Sequence, residues 1–295
     1  MSNLVFISAD FCSGSTLMFT LFRKTGQYYC LYEPLHPRLL EYLYYPLRAY
    51  EHHFFVDSYF TEYRGFKKIP VLFDPDWGVR RLFLPADANA DDLYRYLSYL
   101  VGTAFGRSEK VLLKFNRATF RLGWLRAEFP QAKIVHIYRN REEQWNSVVR
   151  RGQRYLGRED IGQNDVMFQG FNIAAWCEDL QATFPELDAR NSKTGYERFS
   201  KLWQLSLAEN QRYADVSVDY KDLTHDFGTN CGKIWEAVGC DAEIEPLEKY
   251  VVPQENQRTM PIFENSWNKR ILGVIDRAGR KYAKVRVRLN HGKTV

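Results

Sequence analysis

Small and hydroxyl-bearing residues crowd one short stretch, Ser8-Ala9-Asp10-Phe11-Cys12-Ser13-Gly14-Ser15-Thr16, between an apolar run and a segment of helical spacing. Backbone N–H groups at such a helix start point outward and carry the positive end of the helix dipole, so the turn suits an anion such as a phosphate. It serves equally as an ordinary helix cap, because Ser and Thr are favoured there for their side-chain oxygens. Aligned on Gly14, the triphosphatase pattern G-x-x-x-x-G-K-[ST] finds Ala9 at its first glycine, Ser15 at its lysine and Thr16 at its metal-binding hydroxyl. The loop shape is kept and the lysine is lost, which argues against kinase or triphosphatase chemistry.

Further on, Arg139 closes an apolar run and Ser147 follows eight positions later, about two helical turns away. An arginine fork can give two charge-assisted hydrogen bonds to a phosphate, although acids at a helix start, here Glu142 and Glu143, have a purely structural rationale as well. Glu33 in Tyr32-Glu33-Pro34-Leu35-His36 and Lys114 in Lys114-Phe115-Asn116-Arg117 also stand at the ends of apolar runs. Either is equally an exposed strand-end charge. His36 follows Glu33 closely and reads as a positional residue, with Arg117 a weaker candidate for a ligand contact.

These residues need a scaffold that brings strand ends together. Five short apolar runs, beginning at Leu4, Tyr28, Val111, Ile134 and Val216, are each followed by a turn signal and a helical segment. Continuous apolar strands alternating with helices predict an α/β fold with a central, mostly parallel sheet covered on both faces. One domain spanning 1–295 is expected, with 46–90 and 152–171 as insertions or acceptor loops and a basic segment at 251–295. The aromatic stretch from Tyr42 to Trp77 suits ligand stacking or a helical core equally. Trp145, Trp176 and Trp203 read as core. In the basic segment, Lys284, Arg286 and Arg288 fall on one face of any strand formed there, which reads first as a charged edge that guards against pairing with another chain and second as an anion site.

Composition narrows the classes. The chain of 295 residues is 45% hydrophobic and 16% aromatic, enough for a sizeable core. A formal charge of +5 favours anionic ligands without marking a nucleic-acid binder. Five scattered cysteines, Cys12, Cys30, Cys177, Cys231 and Cys240, form no C-x-x-C pair, which argues against a zinc or redox site and for a reducing, cytoplasmic setting. No stretch approaches the ~20 apolar residues of a membrane span.

Ser13-Gly14-Ser15-Thr16-Leu17, the Phe129-Pro130-Gln131-Ala132-Lys133 entry to a strand, the Arg139-to-Ser147 spacing and the Ser217-to-Leu223 run together resemble the bacterial and carbohydrate branch of the sulfotransferases that use 3′-phosphoadenosine-5′-phosphosulfate (PAPS). The resemblance runs from Leu4 to about Gly239. It implies a P-loop-like three-layer fold, no metal, and transfer of a sulfuryl group from PAPS to a hydroxyl of a small-molecule, carbohydrate or lipid acceptor. Cys12, Ser13, Gly14, Ser15 and Thr16 would hold the 5′-phosphosulfate, and Arg139 and Ser147 the 3′-phosphate. Lys114 would steady the leaving phosphate. The cytosolic branch has a histidine base where Asn116 stands, so the duty passes to Glu33, or failing that to His36. Cys12 departs from the family's usual Lys or Arg. A small-molecule kinase on the same fold and an inactive nucleotide-binding homologue are the competing readings.

Overall fold

A computed structural model describes residues 3–45, 58–156, 167–168 and 171–251, all within one compact unit, Met1–Val252. Five strands form its sheet: β1 (Leu4–Ser8), β2 (Tyr28–Tyr32), β3 (Lys110–Phe115), β4 (Lys133–Tyr138) and, further on, β7 (Val216–Asp219). Their order is β2-β3-β1-β4-β7 and every pairing is parallel. The two-residue strands β5 (Met167–Phe168) and β6 (Phe171–Asn172) make a separate antiparallel pair.

β1 is buried at every position, which explains why it reads as an unbroken apolar run rather than an alternating one. Alternate residues nevertheless serve different layers. Leu4 and Phe6 point to one face, where Leu113, Phe115 and Ile134 meet Tyr96, Leu97 and Leu100 of α4 (Asp91–Phe105) and Trp124 of α5 (Leu122–Glu128). Val5 and Ile7 point to the other, where Leu112, Val135 and Val218 meet Met18, Phe19 and Phe22 of α1 (Ser15–Lys24). α9 (Tyr220–His225) and α10 (Phe227–Val238) complete that layer through Leu223, Ile234 and Trp235. The expected three-layer α/β fold is thus the observed one.

Between β2 and β3 lie α2 (Leu39–Tyr44), the single turn α3 (Ile69–Leu72) and α4. The expected insertion at 46–90 is, over its described part from 58 onward, a supplier of core. Tyr59, Phe60, Tyr63, Phe66, Ile69, Phe73 and Trp77 are all buried in the same cluster as β1. Arg121, itself buried, staples the end of this stretch by donating to the carbonyls of Trp77, Arg80 and Arg81. After β4, α6 (Arg141–Leu156) runs through Gly152, so residues 152–156 of the expected 152–171 insertion are helical. α7 (Ile173–Leu180) and α8 (Gly195–Tyr213) then lead back to β7. Trp145 and Trp176 are core residues as expected, whereas Trp203 is half-buried and polar in its work. Tyr50, Phe54, Phe55 and the basic run from Lys281 to Arg288 lie outside the described residues. Among the described residues no helix is long and apolar enough to cross a membrane, and no group of three or more His, Cys, Asp and Glu residues is arranged to hold a metal ion.

Candidate active site

Because all five strands run the same way, the residues that follow them gather along one edge of the sheet, where ligands of such folds bind. Ala9 to Gly14 follow β1, Glu33 follows β2, Asn116 and Arg117 follow β3, Arg139 follows β4 and Tyr220 follows β7. Parallel pairing sets Tyr32 opposite Lys114, and the Glu33 N–H continues the ladder to the Lys114 carbonyl at 2.8 Å.

That register brings the sequence-predicted Glu33 and Lys114 together. Lys114 Nζ donates to Glu33 Oε1 at 2.6 Å, Arg117 donates to Oε2 at 3.2 Å, and the Asn116 N–H reaches Oε2 at 3.3 Å. All four residues are buried. Burial draws the Arg117 guanidinium below its ordinary range, and the Glu33 carboxylate opposes that shift. The Lys114 ammonium also lies 4.3 Å from the centre of the Tyr32 ring. Glu33 adopts a left-handed φ of 46°, an uncommon conformation for a residue with a Cβ that holds its side chain back toward β3. His36 is buried beside this cluster, and its Nδ1 accepts from the Arg38 N–H at 3.0 Å, a bond that holds the turn after β2.

The loop after β1 turns sharply through two left-handed residues, Cys12 at φ 62° and Gly14 at φ 100°. Gly14 occupies the cap position of α1, contributes no side-chain hydrogen bond to it, and the first turn carries no acid. The Leu17 N–H donates to the Gly14 carbonyl at 2.9 Å, and the N–H groups of Ser15 and Thr16 ahead of it are the ones such a helix start offers to an anion. Ser13 Oγ braces the loop through the Asp10 carbonyl at 2.8 Å, Ser15 Oγ donates to Asn116 Oδ1 at 2.9 Å, and Thr16 Oγ1 meets the Tyr32 hydroxyl at 3.0 Å. The latter two bonds tie the loop to β2 and to the residue after β3.

The loop and the Arg139 segment meet at Tyr220. A Cβ built on Gly14 would lie 2.1 Å from Tyr220 Cδ2, so glycine is required there both for its φ and for the closeness of the ring. The Arg139 guanidinium stands 5.1 Å from the centre of that same ring and pairs with Glu143 at 3.1 Å. Ser147 lies half-buried on α6. Gln144, fully buried, bridges the two segments: its amide donates to the Phe11 carbonyl at 2.8 Å and accepts from Trp203 Nε1 at 3.2 Å.

Tyr220 and Gln144 are site-building residues that sequence reasoning did not single out, and Trp203, read there as core, is a third. A buried polar chain beneath the loop belongs with them. Ser8 Oγ donates to Asn210 Oδ1 at 2.6 Å, Asn210 Nδ2 to Thr119 Oγ1 at 3.3 Å, and Thr119 Oγ1 to Asp10 Oδ1 at 3.1 Å. Burial pushes the Asp10 carboxyl up to about 6. Polar residues next to an otherwise apolar strand were the available signal for Ser8 and Asp10; nothing marked Asn210.

The chain resembles two solved structures at 14% identity. One is a sulfotransferase domain of an olefin synthase from Synechococcus PCC 7002, with a TM-score of 0.42 and coverage of 89% of each chain. The other is a sulfotransferase from Alicyclobacillus acidocaldarius, with a TM-score of 0.40, covering 90% of this chain and 87% of that one. No curated protein sequence matches. The model of the Sulfotransferase family matches residues 5–244, from within β1 to beyond α10 and across every segment of the site described above. The chain belongs to the sulfotransferase family.

Proposed function

We propose that the donor is PAPS and that the chain moves its sulfuryl group to the hydroxyl of a small-molecule, carbohydrate or lipid acceptor. The observation that carries this reading is the meeting of Gly14, Tyr220 and Arg139, which sets an uncapped helix start and an arginine fork around one aromatic ring. A donor with phosphate-type groups at both its 5′ and 3′ positions matches two anion sites held at a fixed separation. The N–H groups of Ser13 to Thr16 would receive the 5′ end, and Arg139 with Ser147 the 3′-phosphate. A triphosphate would lack the lysine it needs at Ser15.

In the transfer, a bond forms between the acceptor oxygen and sulfur as the bond from sulfur to the bridging phosphate oxygen breaks. The acceptor's proton goes to Glu33, and the electron pair of the broken bond to the departing phosphate. Lys114 is held by Glu33 in the resting site at 2.6 Å. Protonation of Glu33 removes the charge that holds it, and the ammonium is then available to the oxygen that is becoming negative. The base and the stabiliser of the leaving group are coupled in this way. Asn116 supports the loop through Ser15 and has no proton-accepting role.

Transfer of label from sulfur-35 PAPS to small molecules of a cell extract tests the reading. Glu33→Gln keeps the shape and removes the basicity, so turnover should fall by ~10²–10⁴ with the affinity for 3′,5′-ADP unchanged. A variant that keeps more than about half its turnover excludes Glu33 as the base.

A further inference from the structure

We infer that Gln144, held from behind by Trp203, is a positioning residue that fixes the distance between the loop after β1 and the Arg139 segment. It thereby sets the preference for a nucleotide phosphorylated at both its 5′ and 3′ positions. The inference rests on the donor reading above and names the residues that make the two anion sites act as one.

Gln144 is 2% exposed, and a buried carboxamide is costly unless its polar atoms find partners. Here they find one on each side. Nε2 donates to the Phe11 carbonyl at 2.8 Å, and Oε1 accepts from Trp203 Nε1 at 3.2 Å. That indole N–H is shared, reaching the Arg139 carbonyl at 3.2 Å as well. A carbonyl only accepts and an indole N–H only donates, so the amide makes both bonds in one orientation alone. Gln144 also lies near the start of α6, where its own N–H donates to the Asn140 carbonyl at 2.9 Å. Its backbone is thus fixed to the second segment while its side chain reaches the first.

The atoms it grips set the two sites. The Phe11 carbonyl belongs to the peptide leading into Cys12, whose φ of 62° turns the chain toward Ser13 to Thr16. The Arg139 carbonyl belongs to the residue whose guanidinium would meet the 3′-phosphate. Tyr220 touches both segments by packing, which tolerates sliding, whereas the Gln144 bonds are directional and set a register. Phe11 carries the constraint on to the reaction centre: its ring packs on Trp176 at 4.9 Å and lies 4.9 Å from the Arg117 guanidinium, which donates to Glu33. A nucleotide with two phosphates gains over one with a single phosphate because its second contact forms within a molecule already bound. That gain survives only while the sites keep the ligand's own spacing.

The test is calorimetric titration of the unaltered protein, Gln144→Met and Trp203→Phe with 3′,5′-ADP and 5′-AMP. In both variants the advantage of 3′,5′-ADP over 5′-AMP should shrink ~3-fold or more, while 5′-AMP binds within about twofold of its original affinity. The double variant should lose no more than Gln144→Met alone, because the two side chains act through one network. A folded variant in which the advantage changes less, or in which 5′-AMP itself weakens further, overturns the inference and leaves the donor reading standing. If Gln144→Met does not fold, Trp203→Phe decides, since it keeps an aromatic ring at a half-buried position and removes the N–H. Loss of folding there too would make the network part of the core and overturn the inference. If 3′,5′-ADP binds the unaltered protein no better than 5′-AMP, the donor reading falls as well.

Discussion

Substituting Gly14 by alanine probes the place where the two anion-binding segments meet, and its cost follows from two separate terms. The added Cβ would sit 2.1 Å from Tyr220 Cδ2, 2.7 Å from Cε2 and 3.0 Å from Cγ, so the ring must move. Tyr220 is buried, starts α9, and has the Arg139 guanidinium against its face, so that movement disturbs packed neighbours. Overpacking of this kind costs ~1–3 kcal/mol. Holding a non-glycine residue at φ 100° adds ~1–2 kcal/mol. The total destabilisation is then about 2–5 kcal/mol, readable by urea denaturation followed by circular dichroism. Only the packing term should be relieved by removing the ring. In a double-mutant cycle with Tyr220→Ala, the two substitutions should therefore couple favourably by ~1–3 kcal/mol, the backbone term remaining. Strict additivity, or a Gly14→Ala cost below about 0.5 kcal/mol, would refute the contact and with it the convergence of the two segments.

Other expectations concern single groups of the site. Lys114→Met leaves Glu33 with one cation of its buried pair, so stability should fall by ~3–5 kcal/mol and turnover and donor affinity should drop together; unchanged stability speaks against the ion pair. Cys12 is half-buried at a φ that a non-glycine residue already adopts, so Cys12→Arg adds no new backbone penalty and should tighten 3′,5′-ADP binding ~5-fold through added charge. An unfolded variant, or one of unchanged affinity, contradicts that placement of the loop. Asp10 ionises in the unfolded chain near 3.8 and in the folded protein near 6. Over that window the folded protein holds the extra proton, so this group lowers stability as pH rises through it. Asp10→Asn should remove this part of the slope in melting temperature, and an unaltered profile would place the titration elsewhere.

The strands were legible because a parallel sheet buried on both faces makes each strand an unbroken apolar run, as in Leu4 to Ile7 and Val111 to Leu113. The loop and Arg139 were legible because their residue types stand directly after such runs. The Glu33, Lys114 and Arg117 cluster was only half legible. Each residue could be placed at a strand end, but their contact depends on β2 pairing with β3 in one register across nearly eighty intervening residues. Much of that interval misled because its core aromatics enter through short 3-10 turns, such as Thr61–Tyr63, and the single helical turn Ile69–Leu72, which leave no periodic pattern. Asn210 is one polar position in a long helix, and only the folded chain shows that it links Ser8 to Thr119.

The most direct test of the site is calorimetry of 3′,5′-ADP against 5′-AMP and ATP with Mg²⁺, in the unaltered protein and in Arg139→Ala. Removing the partner of a buried phosphate costs ~2–5 kcal/mol. The expected result is micromolar binding of 3′,5′-ADP, 5′-AMP weaker by ~10-fold or more, and loss of that difference in the variant. Binding of 5′-AMP or ATP as tight as that of 3′,5′-ADP, or an unchanged preference in Arg139→Ala, would contradict the assignment of the two anion sites.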